Sequence, residues 1–304
     1  MAEKKNLPKT RKKIKKFSLQ RNLTIVGFLI LPLLLLIIFT YVPLFDTVRY
    51  SFYRWDGYGD KVYVGFENYE ILMKEPNYFS AFKSSIYYFI GSIVQIIIAM
   101  YFATVFFYKL KGKTFFKGVL FFPYLLNGVA IGFVFLYFFK DRGGALNSIL
   151  QMFGVSESSL PLWLGDVTLV NISLTFVSVW RYMGQNMVMF CGATQSISGD
   201  LFEAAEIDGA GRWQQFLYIM LPNMRAIISL NLILAVKGAI SVYEIPYIMT
   251  KGTGGSMTFV IKTLATAFTD KKIGLACAMG VVLLVLVMII TVVQKRFIEG
   301  KEED

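Results

Sequence analysis

Six long apolar segments are the feature that most constrains the fold of this chain. Each is a continuous run of about 20 residues, the length that an α-helix needs to cross a hydrocarbon core of about 30 Å. The runs do not alternate between apolar and polar positions, which argues against an outer-membrane barrel. The sequence therefore predicts an all-α, polytopic membrane protein with six transmembrane helices. The predicted spans are Leu23–Tyr41, Ile86–Tyr108, Val119–Phe139, Val170–Cys191, Ile227–Met249 and Ile273–Val293.

Composition narrows the possible functions. Hydrophobic residues make up 56% of the chain and charged residues 17%, whereas soluble domains are about 45–50% apolar and about 25% charged. Histidine, the commonest general base and metal ligand, does not occur in the sequence, and neither does a P-loop or a nucleophile motif. We therefore expect neither an enzyme nor a metal site, and no ATP bound by this chain. Cys191 and Cys277 fall in apolar segments, which predicts buried thiols and no disulfide.

The distribution of positive charge predicts the orientation of the spans. Residues 1–21 contain nine Lys or Arg and a single acid, Glu3, and segments with such charge stay in the cytoplasm. Four lysines and no acid lie between residues 109 and 117, after the second span, and Lys295 and Arg296 follow the last span. Both termini are therefore predicted to be cytoplasmic, and the first span to be an uncleaved anchor. Because the basic run directly precedes an apolar segment, we expect it to flank the membrane and to bind no nucleic acid.

This pattern divides the chain into four parts. They are a basic cytoplasmic segment (1–21), the first transmembrane helix with an external region (22–82), a transmembrane core (83–298) and a cytoplasmic tail (299–304). The core contains a long cytoplasmic loop (195–222), in which Glu203, Glu206 and Asp208 precede Gly209. We predict a short helix at about Asp200–Ile207, a turn with positive φ at Gly209 and a second, amphipathic helix. Such a loop suits a docking surface; the alternative is a segment lying on the bilayer, which would set its acids against anionic lipid.

The spacing within this loop follows a known pattern: Glu-Ala-Ala, three residues, Gly, nine residues, Ile, one residue, Leu-Pro. The residues that fill it are Glu203-Ala204-Ala205, Gly209, Ile219 and Leu221-Pro222. The chain thus resembles the membrane subunits of binding-protein-dependent ATP-binding cassette importers, and Asp208-Gly209-Ala210 has the form common in their maltose-type sugar permeases. Gly65-Phe66-Glu67-Asn68-Tyr69 is similar to an external element of that group. The chain departs from the family at Ala226 and Ser256, where proline is frequent.

The resemblance implies a fold of six transmembrane helices and a set of partners in the cytoplasmic (inner) membrane. The partners are a second, related permease chain, two cytoplasmic ATPase subunits that hold ATP and Mg, and an external solute-binding protein. The loop would couple this chain to the ATPases through Glu203, Ala204, Ala205, Asp208, Gly209, Ala210, Leu221 and Pro222. The expected function is import of a sugar or oligosaccharide. The alternatives are another solute, such as glycerol phosphate or a sialic acid, and a stand-alone secondary transporter.

Polar residues inside the predicted spans are candidates for the solute path. A charged side chain at mid-membrane costs roughly 2.5–3.5 kcal/mol, so Arg181, Lys237 and Glu244 need water, a partner or a ligand. Lys237 and Glu244 are seven residues apart, which would place them on one helical face about 10 Å apart along the axis. Aromatic rings would stack on sugar faces and amides would bind hydroxyls, unless these groups only join helices. The candidates are Asn127, Trp180, Arg181, Gln185, Asn186, Lys237, Tyr243 and Glu244.

Overall fold

Helices form most of the computed structural model, which describes residues 24–108 and 110–299. In chain order they are α1 (Thr24–Tyr50), α2 (Glu67–Lys74), α3 (Pro76–Ser80), α4 (Lys83–Phe107), α5 (Lys113–Leu125), α6 (Gly128–Phe138), α7 (Ala145–Met152), α8 (Val167–Gln195), α9 (Gly199–Ile207), α10 (Arg212–Gln215), α11 (Arg225–Ile240), α12 (Glu244–Met249), α13 (Phe259–Leu264) and α14 (Ile273–Glu299). The predicted basic segment 1–21, Lys109 and residues 300–304 of the predicted tail lie outside the described residues.

Short irregular elements join these helices. Turns of π-helix occur at Ile37–Tyr41 within α1, at Phe216–Met220 after α10 and at Ala265–Thr269 after α13, and a turn of 3₁₀-helix spans Glu157–Ser159. The strands β1 (Tyr53–Arg54) and β2 (Val62–Tyr63) pair antiparallel, Tyr53 opposite Tyr63. This hairpin is a departure from the all-α prediction. Between the fifth and sixth predicted spans, α13 buries Phe259 and Ile261, so the glycine-rich segment there contains a packed helix.

Four helical stretches are long and apolar enough to cross a membrane: Thr24–Tyr50, Pro76–Phe107, Arg225–Met249 and Ile273–Arg296. The pair α5 and α6 passes the same test together, as a possible fifth span bent by 95°. The helix α8 is not among them, because polar residues interrupt its apolar sequence, although its 29 residues would extend about 43 Å. The chain is therefore a multi-pass membrane protein, and the count of six spans stays a prediction.

The third predicted span is broken where the sequence carries breaking residues. Pro123 lies in the last turns of α5, and Leu126 and Asn127 have extended backbones. The side chain of Asn127 then accepts hydrogen bonds from the backbone N–H groups of Val129 and Ala130, which caps the N-terminus of α6. The break over residues 119–139 therefore lies at Pro123, Asn127 and Gly128, the residues at which the sequence predicts it.

The fifth predicted span is also discontinuous. The helix α11 ends at Ile240, and α12 begins only at Glu244. Pro246 explains the break, because its ring would clash with the carbonyl group of Val242 in a continuous helix. The prediction that Lys237 and Glu244 share one helical face is consequently wrong, since they belong to two different helices.

The polar helix α8 lies at the centre of the fold. It packs along α4, and its other neighbours are α5, α11 and α12. Two glycines permit the close approach: a Cβ on Gly91 of α4 would lie 2.2 Å from Thr175 Cγ2, and one on Gly184 of α8 would lie 2.0 Å from the carbonyl oxygen of Leu120 in α5. Cys191 is buried in this region and Cys277 is half-buried in α14, both as free thiols. The elements around α8 therefore position any site at the centre of the bundle.

Candidate functional site

A cavity of about 450 Å³ opens between α4, α8, α11 and the start of α12. Its wall mixes small and apolar residues with hydroxyl, amide, phenol and charged groups. The polar groups that line it are Tyr88, Ser92, Gln95, Thr175, Ser178, Tyr182, Gln185, Asn186, Asn231, Lys237, Ser241, Tyr243 and Glu244. Amide and hydroxyl groups bind hydroxylated ligands and aromatic rings stack on their apolar faces, so the wall suits a polyhydroxylated solute.

Five of the eight predicted path residues line this cavity: Gln185, Asn186, Lys237, Tyr243 and Glu244. The other three do not. Asn127 is the N-cap of α6, and Trp180 packs edge-on against Phe135 at 5.2 Å between ring centroids. Arg181 lies behind the wall, paired with Glu244. In the structure, Asn127 therefore caps a helix and Trp180 packs between helices, and neither side chain lines the cavity.

Several lining residues were not selected from the sequence, although a signal was present. On α4, Tyr88, Ser92 and Gln95 follow the spacing i, i+4, i+7 and so share one face. On α8, Thr175 and Ser178 extend the face that Tyr182 and Gln185 continue. On both helices the signal in the sequence is a row of polar residues at helical spacing, whereas the predicted path residues include isolated charged residues.

An ion pair crosses the bundle beside the cavity. Arg181 Nη1 donates to Glu244 Oε2 at 2.6 Å, and the side chains are 11% and 35% exposed. The pair lies directly over Gly128, the first residue of α6, where an added Cβ would be 2.2 Å from Glu244 Oε1 and 2.3 Å from Arg181 Nη1. The positive N-terminal end of α6 therefore also faces the carboxylate. Lys237 is exposed and forms no ion pair with any residue between 24 and 299 that the structure describes.

The loop at 195–222 has the predicted helix–turn–helix form. The helix α9 begins after Ser198, whose hydroxyl accepts a hydrogen bond from the backbone N–H of Asp200. The helix ends at Ile207, and Gly209, two residues further on, has φ +78°. The backbone N–H of Ala210 donates to the carbonyl oxygen of Ala205 at 2.8 Å, and that of Gly209 to Glu206 at 3.1 Å. This is a Schellman motif, which requires a left-handed residue at the glycine position.

One side of the loop is anchored in the bundle. Phe202 is 7% exposed and packs against Phe107 of α4, with ring centroids 4.6 Å apart. Gln215, also buried, accepts a hydrogen bond from the hydroxyl of Tyr108. Met220 is fully buried, and Pro222 lies in the short helical turn Leu221–Asn223 that leads to α11. These contacts fix the loop to the end of α4, and Phe202 and Met220 share a buried cluster with Met187, Phe190 and Cys191 of α8.

The other side of the loop faces outward. Ile207 is 86% exposed and Trp213 is 69% exposed. Glu203, Ala204, Asp208 and Gly209 are exposed beside them, while Ala205, Ala210, Leu221 and Pro222 are half-buried. None of the loop residues lines the cavity. The structure therefore presents two separate candidate sites. One is the exposed face of the loop, which is apolar and acidic, and the other is the polar cavity in the bundle.

A polar cavity among the helices of a multi-pass membrane protein is the kind of site that solute transport needs. The family of binding-protein-dependent transport system inner membrane components matches residues 81–301, which is well over half of the chain. The chain is a member of this family of importer permeases.

Relatives agree with that assignment, and a solved structure has the same fold. The chain is 31% identical to the probable ABC transporter permease protein YurN of Bacillus subtilis, over 93% of this chain and 99% of that protein. It is also 31% identical to the multiple sugar-binding transport system permease protein MsmF of Streptococcus mutans, over 88% and 92%. A chain of a bacterial ABC transporter involved in the import of the acidic polysaccharide alginate has the same fold, with a TM-score of 0.82 at 17% identity, covering 95% of this chain and 99% of that one.

Proposed function

We propose that this chain is one permease subunit of an ATP-driven importer and forms part of the translocation path for a sugar or oligosaccharide. The observation that carries the proposal is the cavity at the centre of the helical bundle, whose wall presents amides, hydroxyls and aromatic rings. Membership of the importer family supplies the direction of transport. The sugar-related name of a relative that matches most of this chain supports the solute class.

The proposed location of the protein is the cytoplasmic (inner) membrane. The proposed topology has six spans, with both termini in the cytoplasm. The spans are α1, α4, the bent pair α5 and α6, α8, the broken pair α11 and α12, and α14. The helix α8 joins the count because it is long enough and because its polar face is turned to the cavity and to other helices, away from lipid. The parts 1–21, 22–82, 83–298 and 299–304 keep the roles of basic flank, anchor with external region, permease core and tail.

Apolar faces left uncovered support a second permease subunit beside this one. In the most apolar part of α1, 0% of the residues are buried. In the corresponding part of residues 225–249, 11% of the residues are buried. Lipid and a related permease chain would cover these faces together. An external solute-binding protein accords with the binding-protein-dependent family. ATP and Mg would be held by two separate ATPase subunits.

The loop at 195–222 is the proposed attachment point of those ATPases. Glu203, Ala204, Ala205, Asp208, Gly209, Ala210, Leu221 and Pro222 form or brace its outward surface. Because the loop is fixed to α4 and α8, a displacement of its outer face by the ATPases would be passed to the helices that line the cavity. Access to the cavity would then alternate between the two sides of the membrane.

Purification and uptake measurements test the proposal. The tagged chain is solubilised from its host, the copurifying chains are identified by mass spectrometry, and the complex is reconstituted in proteoliposomes. We expect ATPase and second permease chains in the complex, and uptake of labelled oligosaccharide that requires ATP. Uptake driven by an ion gradient, by the chain alone, would instead establish the secondary transporter.

One feature of the cavity favours an anionic solute as the second candidate. Lys237 lines the cavity and is exposed, and it has no acidic partner in the described part of the chain. A cation of this kind suits a carboxylate or phosphate, as in a sialic acid or glycerol phosphate. Competition of oligosaccharide uptake by these two anions, in the wild-type protein and in Lys237→Gln, distinguishes the candidates. Inhibition that disappears in the variant supports the anionic solute.

A further inference from the structure

The ion pair beside the cavity is asymmetric. Glu244 Oε2 accepts from Arg181 Nη1, whereas Glu244 Oε1 accepts no hydrogen bond from any residue that the structure describes. Glu244 lines the cavity and its side chain is 35% exposed, but Arg181 is 11% exposed and does not line the cavity. Oε2 is therefore held by Arg181 from outside the cavity, and Oε1 lies close to Gly128 of α6, while the Glu244 side chain as a whole keeps a face on the cavity.

The guanidinium group is itself held in place. It lies 5.0 Å from the ring centroid of Tyr182, and Gly128 allows α6 to approach the pair without a side chain. Arg181 belongs to α8, Glu244 to α12 and Gly128 to α6, so three helices meet at this point. Both α6 and α12 begin here after a break, which fixes the position of the carboxylate relative to the cavity wall.

We infer that Arg181 is a positioning residue for Glu244, and that the Glu244 carboxylate, which lines the cavity and is 35% exposed, is a specificity-determining acceptor for a hydroxyl group of the transported solute. A carboxylate oxygen that already has a cationic neighbour remains a strong acceptor, and its charge is offset by Arg181, so the wall does not repel the solute. The ligand class is a polyhydroxylated molecule with a hydroxyl donor directed at the wall between α8 and α12. The inference rests on the proposed function, since it assigns a role within that path.

The test uses the complete reconstituted importer with its copurifying chains. Uptake of ¹⁴C-labelled maltotriose, raffinose and N-acetylneuraminic acid is measured for the wild type and for Glu244→Gln, Arg181→Gln and Arg181→Lys. We expect Glu244→Gln to raise KM about tenfold, the size of a lost charged hydrogen bond, with the amount of assembled complex unchanged. Arg181→Gln should raise KM similarly, Arg181→Lys less, and Arg181→Gln should add little when combined with Glu244→Gln. Glu70→Gln, which alters an exposed ion pair in α2, is the control.

Two further variants separate positioning from simple helix bracing. In the reversed pair R181E/E244R the ion pair can form again, but a cation replaces the acceptor at the wall; we expect recovery of thermal stability without recovery of KM. Gly128→Ala should displace the carboxylate and raise KM, whereas Gly118→Ala in α5, with nothing within 4 Å of its Cβ, should not.

The outcomes distinguish the inference from the proposed function. Wild-type KM in Glu244→Gln, or in the reversed pair, overturns the role of the Glu244 carboxylate as an acceptor and leaves the ion pair as a contact that only joins helices. Absence of ATP-dependent uptake of all three probes by the wild type overturns the proposed function, and this role of Glu244 with it.

Discussion

Gly184 of α8 packs directly against the backbone of Leu120 in α5, where an added Cβ would lie 2.0 Å from the carbonyl oxygen. A backbone atom cannot turn aside as a flexible side chain can, so any substitution must separate the two helices. Small residues at such contacts are the usual means of close helix packing in membranes.

Gly184→Ala should destabilise the protein by about 1–3 kcal/mol, the usual effect of forcing extra volume into a packed interface. The measurement is the midpoint of thermal unfolding of the detergent-solubilised protein, followed by loss of the monodisperse chromatographic peak. Gly192→Ala is the matched control in the same helix, because no atom lies within 4 Å of its Cβ. Equal midpoints for the two variants would contradict the close contact.

Gly209→Val should uncouple ATP hydrolysis from uptake while the complex still assembles. The glycine has φ +78° and open space around it, so the effect is backbone strain of about 1–2 kcal/mol, which disfavours the turn that orients the outer face of the loop. Gly209→Asn should be milder because asparagine tolerates this conformation. The measurement is uptake per ATP hydrolysed in proteoliposomes; Gly211→Ala, at φ −68°, is the control. Normal coupling in Gly209→Val would refute the role of the turn.

Phe202 and Ile207 of the loop at 195–222 should respond differently to truncation. Phe202→Ala removes a buried ring packed on Phe107 and should lower stability by about 3–5 kcal/mol. Ile207 is 86% exposed, so Ile207→Ala should leave the unfolding midpoint unchanged and weaken retention of the ATPase chains. Thermal unfolding and the yield of copurified ATPase give the two readouts. Full ATPase retention after Ile207→Ala would remove that residue from the docking surface.

The cap of α8 should make stability depend on pH. Asp166 Oδ1 accepts hydrogen bonds from the backbone N–H groups of Thr168 at 2.7 Å and Leu169 at 3.1 Å, and these bonds lower the pKa of the carboxyl group below its usual 3.8. Because the folded pKa is the lower one, the stabilisation is complete above pH 3.8 and is lost as the pH falls through the folded pKa.

Asp166→Ala should therefore unfold at a lower temperature than the wild type near neutral pH, and the difference should shrink in acid. Asp166→Asn retains an acceptor that does not titrate, so its advantage over Asp166→Ala should persist. Unfolding midpoints of the three proteins across the acid range make the comparison. A wild-type advantage that does not change with pH would exclude the carboxylate as the cause.

Local features of the sequence were sufficient to predict the loop. The helix α9 begins at Gly199, one residue from the predicted start, and ends at the predicted Ile207, because its glycine and capping signals lie within a few residues of each other. The breaking residues of the third span indicated the place of its bend but not the angle. The membrane class followed from apolar content alone, and family membership confirms the resemblance found in the loop.

Contacts between distant residues were not predictable in this way. Arg181 and Glu244 are 63 residues apart in the chain, and nothing near either residue indicates the other. The regular spacing of Lys237 and Glu244 suggested one continuous helix, but Pro246 prevents that helix from forming at Val242. Proline is tolerated within transmembrane helices. The apolar sequence around Pro246 therefore predicted an uninterrupted span and gave no sign of the break.

The polarity of α8 has a consequence for how the protein is made. A nascent helix that carries Arg181 together with several amides partitions poorly into lipid on its own, since each such residue opposes insertion. Its neighbours α4 and α5 precede it in the chain and supply the surfaces on which it packs. In the proposed topology, entry of α8 into the membrane is therefore a tertiary folding step: α4 and α5 supply packing surfaces before residue 195 is made, and Glu244, the ion-pair partner of Arg181, follows only with α12.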